Sequence, residues 1–309
     1  MSSSPPRSAT GSAAPVWRCD GLRWDAGGPV LRWAGGRASR LVYGQGVGVR
    51  AVGRRACVGA RGNPCPVRAG VAGTSTGGRC AECARLDRAH SVAADSFADD
   101  PRVYRVYLAW FGPGLVKVGI TAEERGDARL LEQGAVAFCW LGRGALMAAR
   151  RTEEVLRHAL DVPDRIPYAR KRAVRHALPD AEERAGQVGA LYRAAVAVPE
   201  WGETLEPLEF AAYDHGDAFR LDGLPAPAGA VAAFTDGGGL VGSLRAAAGP
   251  DLHLVTADGR CVVLDTRLMR GWGLVGVDAG APGGPGGSEG PVSVPLVACG
   301  AAGQQGGLF

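Results

Sequence analysis

The pattern of apolar and polar positions is clearest between residues 104 and 121, where two short stretches alternate with a period of two. The first has two opposed faces, made by Val106, Leu108 and Trp110 against Arg105, Tyr107 and Ala109. The second does the same with Val116, Val118 and Ile120 against Lys117, Gly119 and Thr121. This alternation predicts two strands, each with one buried face.

The connection Gly112-Pro113-Gly114 is short enough to join these strands as an antiparallel hairpin. That register predicts Ala109 beside Lys117 and Tyr107 opposite Gly119. The two polar faces then coincide, and Gly119 leaves open space beside the phenol.

Helical spacing follows the hairpin. Residues 123–133 predict a helix that Thr121 caps and Gly134 ends, with Arg125, Arg129 and Gln133 along one stripe. Residues 136–141 predict a third strand, and residues 146–160 a longer helix. In that helix Glu153 falls inside a stripe of apolar residues, where a carboxylate is costly unless it is paired or bound to a metal.

The expected fold class is α+β: a small three-stranded antiparallel sheet with flanking helices, preceded by a Cys-rich module and followed by a small β-rich module. Five segments are predicted. They are a disordered lead (1–15), a β and Cys-rich zinc-binding-like module (16–100), an α/β core with extra helices (101–200), a Gly-rich β module (201–279) and a Gly/Pro-rich tail (280–309).

Charge and composition limit the classes of function only loosely. The net charge of +4 permits a polyanionic partner without demanding one. No apolar run approaches the roughly 20 residues that span a bilayer, and the lead lacks the apolar core of a secretory signal. We therefore expect a cytoplasmic protein with no membrane partner, in which the eight cysteines are thiols or metal ligands.

Four cysteines indicate a structural zinc site: Cys57, Cys65, Cys80 and Cys83. The Cys80-x-x-Cys83 turn aims two thiolates at one tetrahedral ion, whereas the spacing of the other pair is wide. His90 could replace one cysteine. Reduced thiols in a Gly-rich loop and a redox-active Cys80–Cys83 pair stay open as alternatives.

Arg170, Lys171 and Arg172 belong to a basic stretch. It predicts either a solvated helix face or a patch that contacts nucleic-acid phosphates.

The order of these motifs resembles the GIY-YIG endonuclease superfamily, in the branch whose second motif reads Lys-Ile/Val-Gly-x-Thr. This likeness covers residues 104–160. Together with the cysteines, the motifs Val106-Tyr107-Leu108, 117–121 and Arg129-x-x-Glu132-Gln133-Gly134-Ala135 look like a narrower bacterial family, the domain of unknown function numbered 2797.

The wider resemblance implies a metal-dependent nuclease. Tyr107 would activate water, Arg129 would steady the phosphate charge, and Glu153 would bind Mg²⁺ or Mn²⁺, while the zinc module would help to dock DNA or RNA. Lys117 stands where the superfamily has a tyrosine. It could hold a phosphate, depress the pKa of the phenol or pair with Glu153.

Two other interpretations stay open at this point. In one, Tyr107 is a packed aromatic, Lys117 is exposed and Glu153 pairs internally with Arg129. The protein would then be a non-catalytic scaffold that binds nucleic acid or protein. In the other, Cys80 and Cys83 serve thiol redox chemistry.

Overall fold

The computed structural model describes residues 14–88, 100–199, 201, 205–278 and 292–299. The N-terminal part begins with four strands: β1 (Trp17–Asp25), β2 (Gly28–Trp33), β3 (Ala38–Arg40) and β4 (Gly46–Val52). The cysteine segment follows and ends in the helix α1 (Ala81–Arg88).

The central part alternates strands and helices. It contains β5 (Val103–Trp110), β6 (Val116–Ala122), α2 (Ala128–Gln133), β7 (Ala137–Ala145), α3 (Leu146–Ala159), α4 (Tyr168–Val174) and α5 (Ala181–Val196). A short 3-10 helix, Glu123–Arg125, lies between β6 and α2.

The C-terminal part consists mainly of strands. It contains β8 (Glu206–Pro207), β9 (Tyr213–Asp214), α6 (Gly216–Phe219), β10 (Gly229–Val231), β11 (Gly239–Ala248), β12 (Asp251–Val255), β13 (Cys261–Asp265), β14 (Gly273–Gly276) and β15 (Leu296–Val297). A second 3-10 helix, Thr266–Met269, precedes β14.

The smaller sheet is built on the predicted hairpin. Its strands run in the order β6-β5-β7-β8, with β9 also paired to β7. The register pairs Tyr107 with Gly119 and Ala109 with Lys117, as the sequence predicts. Thr121 does not cap a helix, because it lies inside β6 and the chain turns at Gly126 before α2 begins. Gly134 ends α2 in the left-handed conformation, as expected.

The expected fold class, a small three-stranded sheet with flanking helices, is wrong because the protein contains a much larger second sheet. Among the described residues ten strands join in the order β15-β10-β13-β12-β11-β4-β14-β1-β2-β3. β4 pairs with β11 on one side and with β14 on the other, so strands from both ends of the chain complete one sheet. The two small β modules expected on either side of a three-stranded core are therefore one structure. The boundaries of the five segments remain a prediction.

Both faces of the smaller sheet are covered. Val106, Leu108 and Trp110 belong to a large apolar core that continues into the ten-stranded sheet. The opposite face carries a second cluster with Tyr107, Phe111, Leu130, Phe138 and Trp140 among its members. This second cluster is why the face that alternation marks as polar is largely shielded from water.

In the part of the chain that the structure describes, no helix combines the length and apolar character needed to cross a membrane. Most of the predicted lead and tail, and His90, lie outside the described residues.

Candidate functional site

The four cysteines predicted from spacing come together. The sulfur atoms of Cys57, Cys65, Cys80 and Cys83 all lie within 4.8 Å of one another. Three of these side chains are buried, and Cys80 is half-buried. The wide spacing between Cys57 and Cys65 is taken up by a turn in which Ala60 and Asn63 exchange backbone hydrogen bonds.

This cluster fits a structural metal ion such as zinc. Four sulfurs bonded to zinc at about 2.3 Å lie roughly 3.8 Å apart, which is compatible with separations of at most 4.8 Å in this cluster. The backbone N–H groups of Gly59 and Cys80 donate to the Cys57 sulfur at 3.3 and 3.2 Å. Such donors stabilise thiolate charge, which is the form that binds metal.

A buried arginine ties the cysteine segment to the larger sheet. The Arg55 guanidinium donates to the backbone oxygens of Ala72 and Ser75 at 2.6 and 2.7 Å, within that segment. It also donates to the carbonyls of Arg270 and Arg267 at 2.8 and 3.1 Å. Arg55 is 3% exposed, so its loss would leave buried carbonyls without donors.

Tyr107 lies on the predicted face of β5, but its environment differs from the expected one. The side chain is 1% exposed, and its hydroxyl lies over Gly119, where an added Cβ would come within 2.3 Å. The phenol itself therefore fills the space that Gly119 was expected to leave open. Burial raises the pKa of Tyr107, although the hydrogen bond from Gln133 and the nearby Arg129 act in the opposite direction.

Lys117 and Glu153 are electrostatic neighbours at the edge of the same sheet. Burial is the largest influence on each: it lowers the pKa of Lys117 and raises the pKa of Glu153. The attraction between them opposes both shifts. Glu153 is half-buried, and no described residue forms a salt bridge with it, so the internal pairing with Arg129 left open above is not present.

The four predicted residues thus converge electrostatically. Arg129 is exposed on α2 and acts on both Tyr107 and Lys117. Asp164, an exposed carboxylate, acts on Lys117 and Glu153. Lys117 therefore lies near charges of both signs, because Arg129 and Arg165 act on it as well as the two carboxylates.

Gln133 was predicted only as part of a polar stripe, yet it makes the direct contact with Tyr107. Its amide donates to the phenol oxygen at 2.9 Å. Its backbone oxygen accepts from the Lys171 ammonium at 3.0 Å, and that ammonium lies 3.7 Å from the centre of the Phe111 ring. Burial lowers the pKa of Lys171 to about 6.

The predicted basic patch is divided between surface and interior. Arg170 is exposed, whereas Lys171 is 4% exposed. Arg172 is bound to Asp251 at 2.6 Å and to Asp265 at 2.5 Å. Of these three residues, only Arg170 has a side chain that is free to meet a phosphate at the surface.

These ion pairs continue inward to Arg175, which bonds Asp251 at 2.6 Å with both side chains fully buried. The aspartates at the ends of β12 and β13 could have signalled this from sequence, because buried carboxylates in apolar strands require cationic partners.

Taken together, the fold and site define a protein of two β-sheets with a four-cysteine candidate metal centre and a second cluster of ionisable groups. A family model described as "Protein of unknown function (DUF2797)" matches residues 44–274. That range covers well over half of the chain, so the chain belongs to this family. No curated protein and no solved structure matches the chain.

Proposed function

We propose that this protein is a metal-dependent phosphodiester hydrolase acting on nucleic acid, with a structural zinc module that helps to dock it. The observation that carries the proposal is the convergence of Tyr107, Lys117, Arg129 and Glu153, which are distant in sequence but electrostatically coupled. Phosphodiester cleavage needs cations near the developing charge and a carboxylate to hold a metal.

Each residue takes a role that suits its surroundings. Glu153, with Asp164 beside it, would hold Mg²⁺ or Mn²⁺, ions that proteins often bind through one or two carboxylates. Such an ion supplies charge neutralisation and water activation when bound. Lys117 and Arg129 would bind the phosphate. The raised pKa of Tyr107 keeps the phenol protonated at neutral pH, so it is better suited to orient groups than to act as a base.

Two neighbouring glutamates on α3 provide a matched test. Glu153→Ala should abolish Mg²⁺-dependent cleavage of a mixed panel of labelled DNA and RNA. Glu154→Ala should retain it, because Glu154 is exposed and, among the described residues, pairs with Arg157 and His158 alone. Cleavage at the full rate in Glu153→Ala would reject this assignment.

A second candidate function, nucleic-acid binding without cleavage, is favoured by one observation. Tyr107 is 1% exposed and its oxygen already accepts a bond from Gln133, so a substrate cannot reach it without rearrangement. This alternative predicts salt-sensitive binding with no turnover in Mg²⁺, Mn²⁺ or any other divalent metal. It also predicts that Tyr107→Phe leaves the affinity unchanged.

A further inference from the structure

We propose that Arg23, Arg79 and Arg270, which we call the arginine track, bind the phosphates of a nucleic-acid backbone and connect the cysteine segment to α2. The inference rests on the proposed function and deepens it by naming a binding surface. These three residues lie outside both the candidate hydrolytic centre and the basic patch predicted from sequence.

The track is assembled from three separate parts of the fold. Arg79 belongs to the cysteine segment, where its Nε donates to the Gly59 oxygen at 2.9 Å. Arg270 follows the second 3-10 helix and packs against Gly78 of the cysteine segment. A Cβ added to Gly78 would lie 3.0 Å from the Arg270 Cβ. Arg23 comes from β1. Gly21 on the same strand packs against the Arg270 side chain, since a Cβ added to Gly21 would lie 3.2 Å from the Arg270 Cδ.

Arg270 lacks an anionic partner. Among the described residues its guanidinium makes no hydrogen bond or ion pair, and its Nε is buried without a partner. Arg79 and Arg23 are the charges that act on it most strongly, and they lower its pKa further after the effect of burial. Arg270 is half-buried, and an unpaired guanidinium close to two like charges is costly unless an anion joins it.

The carboxylates nearby do not balance this charge. Asp87 pairs with Arg79 at 3.0 Å. Glu132 on α2 is shared, since it bonds Arg23 at 3.3 Å and Arg125 at 2.8 Å. Together with Arg125, four guanidinium groups therefore share these two carboxylates. Guanidinium groups bind phosphate oxygens through paired hydrogen bonds, and a line of them matches a chain of phosphates.

The line also leads to the proposed centre. Glu132 and Arg129 both belong to α2, and Gln133 at the end of this helix touches Tyr107. A strand of nucleic acid on the arginine track would therefore reach the helix that carries the proposed phosphate-binding arginine. That continuity favours nucleic acid over other polyanions.

The test measures binding of a short labelled oligonucleotide, single-stranded and duplex, to the full chain without divalent metal, across a salt series. Arg23→Gln with Arg270→Gln should lower the slope of log Kd against log salt by about 1.4 to 1.8, since each phosphate contact contributes roughly 0.7 to 0.9. The control, Arg193→Gln with Arg220→Gln, removes the same charge from exposed residues on other elements and should leave the slope unchanged.

Two further variants guard against misfolding. Arg23→Gln alone, at a side chain that is 69% exposed, should give about half of the slope change. Glu132→Gln should tighten binding several-fold, because it removes a competing carboxylate. A wild-type slope in the double variant, or weaker binding in Glu132→Gln, would overturn the arginine track. The arginine track would also be overturned if the double variant lost affinity for vesicles of anionic lipid but kept its affinity for the oligonucleotide.

The two proposals fail separately. Cleavage that depends on Glu153, together with an unchanged salt slope in the track variants, would refute only the track. Metal-free binding that depends on Arg23 and Arg270, with no cleavage under any condition, would refute only the hydrolase.

Discussion

At the scale of single residues, the contact between Tyr107 and Gly119 determines how the candidate site is built. Alternation along the two strands predicts that these residues face each other, and the register confirms it. Sequence does not say whether the ring points away from the glycine or covers it. That choice depends on the second apolar cluster, whose members come from several elements.

Gln133 provides a test of this local geometry. Its hydrogen bond stabilises the phenolate relative to the phenol, so Gln133→Met should raise the pKa of Tyr107 above its wild-type value. A fluorotyrosine placed at position 107 and titrated by ¹⁹F NMR would measure this pKa directly. Gln187→Met is the control, because Gln187 bonds Trp110 on the same strand instead. An unchanged titration in Gln133→Met would show that the contact is not formed in solution.

At the scale of elements, the cysteine segment has very little regular structure of its own. Between β4 and α1 the chain consists of turns and isolated bridges. Its position depends on the Arg55 hydrogen bonds and on the cluster of four sulfurs. A bound ion would then be a main source of its stability, as in other small metal-bound modules.

Metal content tests this dependence. The wild-type protein should contain about one zinc per chain by elemental analysis, as a four-thiolate site requires. Cys83→Ser should lose most of the metal and become sensitive to proteases between residues 53 and 88. Cys299→Ser should keep the metal, since that half-buried cysteine lies outside the cluster. A metal-free wild type with a titrating Cys80–Cys83 pair would favour the redox interpretation instead.

Elements formed by local contacts were predicted well. The hairpin and the helix α3 follow from periodicity and turn chemistry over a few residues. The helix α4 was identified as basic, but the burial of Lys171 was not predicted. Charge suggests a solvated face, whereas Lys171 donates to the Gln133 backbone oxygen, 38 residues earlier in the chain. Arg172 bonds Asp251 on β12 and Asp265 on β13, 79 and 93 residues further along.

At the scale of the whole molecule, a buried network joins α4 to the larger sheet, and His253 lies within it. His253 is 0% exposed, and neither of its ring nitrogens has a hydrogen-bond partner among the described residues. Burial, followed by the charge of Arg175, lowers its pKa to about 3. The folded protein therefore contains a neutral histidine that the unfolded chain would protonate below a pH of about 6.5.

This difference predicts acid sensitivity. Because the folded pKa is depressed, the contribution to stability is complete above pH 6.5 and is lost as the pH falls towards 3. Between pH 7 and pH 5 the free energy of unfolding should fall by about 2 kcal/mol through this residue alone. Urea unfolding of His253→Leu should show a correspondingly flatter pH profile than the wild type, whereas the exposed His176→Leu should not. Equal slopes in all three proteins would contradict the prediction.

The larger sheet is the feature that sequence could not reveal. The period of two identifies a strand and its buried face, but it does not identify a partner. The partners of β4 are β11 and β14, and more than half of the chain separates them from it. Short strands at the two ends were therefore read as separate modules.

The same strand order has a consequence for synthesis. β4 leaves the ribosome long before β11 and β14, so its two edges stay unpaired while the central part is translated. At roughly 5 to 20 residues per second, this interval is on the order of 10 to 40 s. Throughout that time the nascent front half exposes unpaired edges that invite aggregation, and a chaperone that shields them would improve the yield of the full chain more than that of its central part.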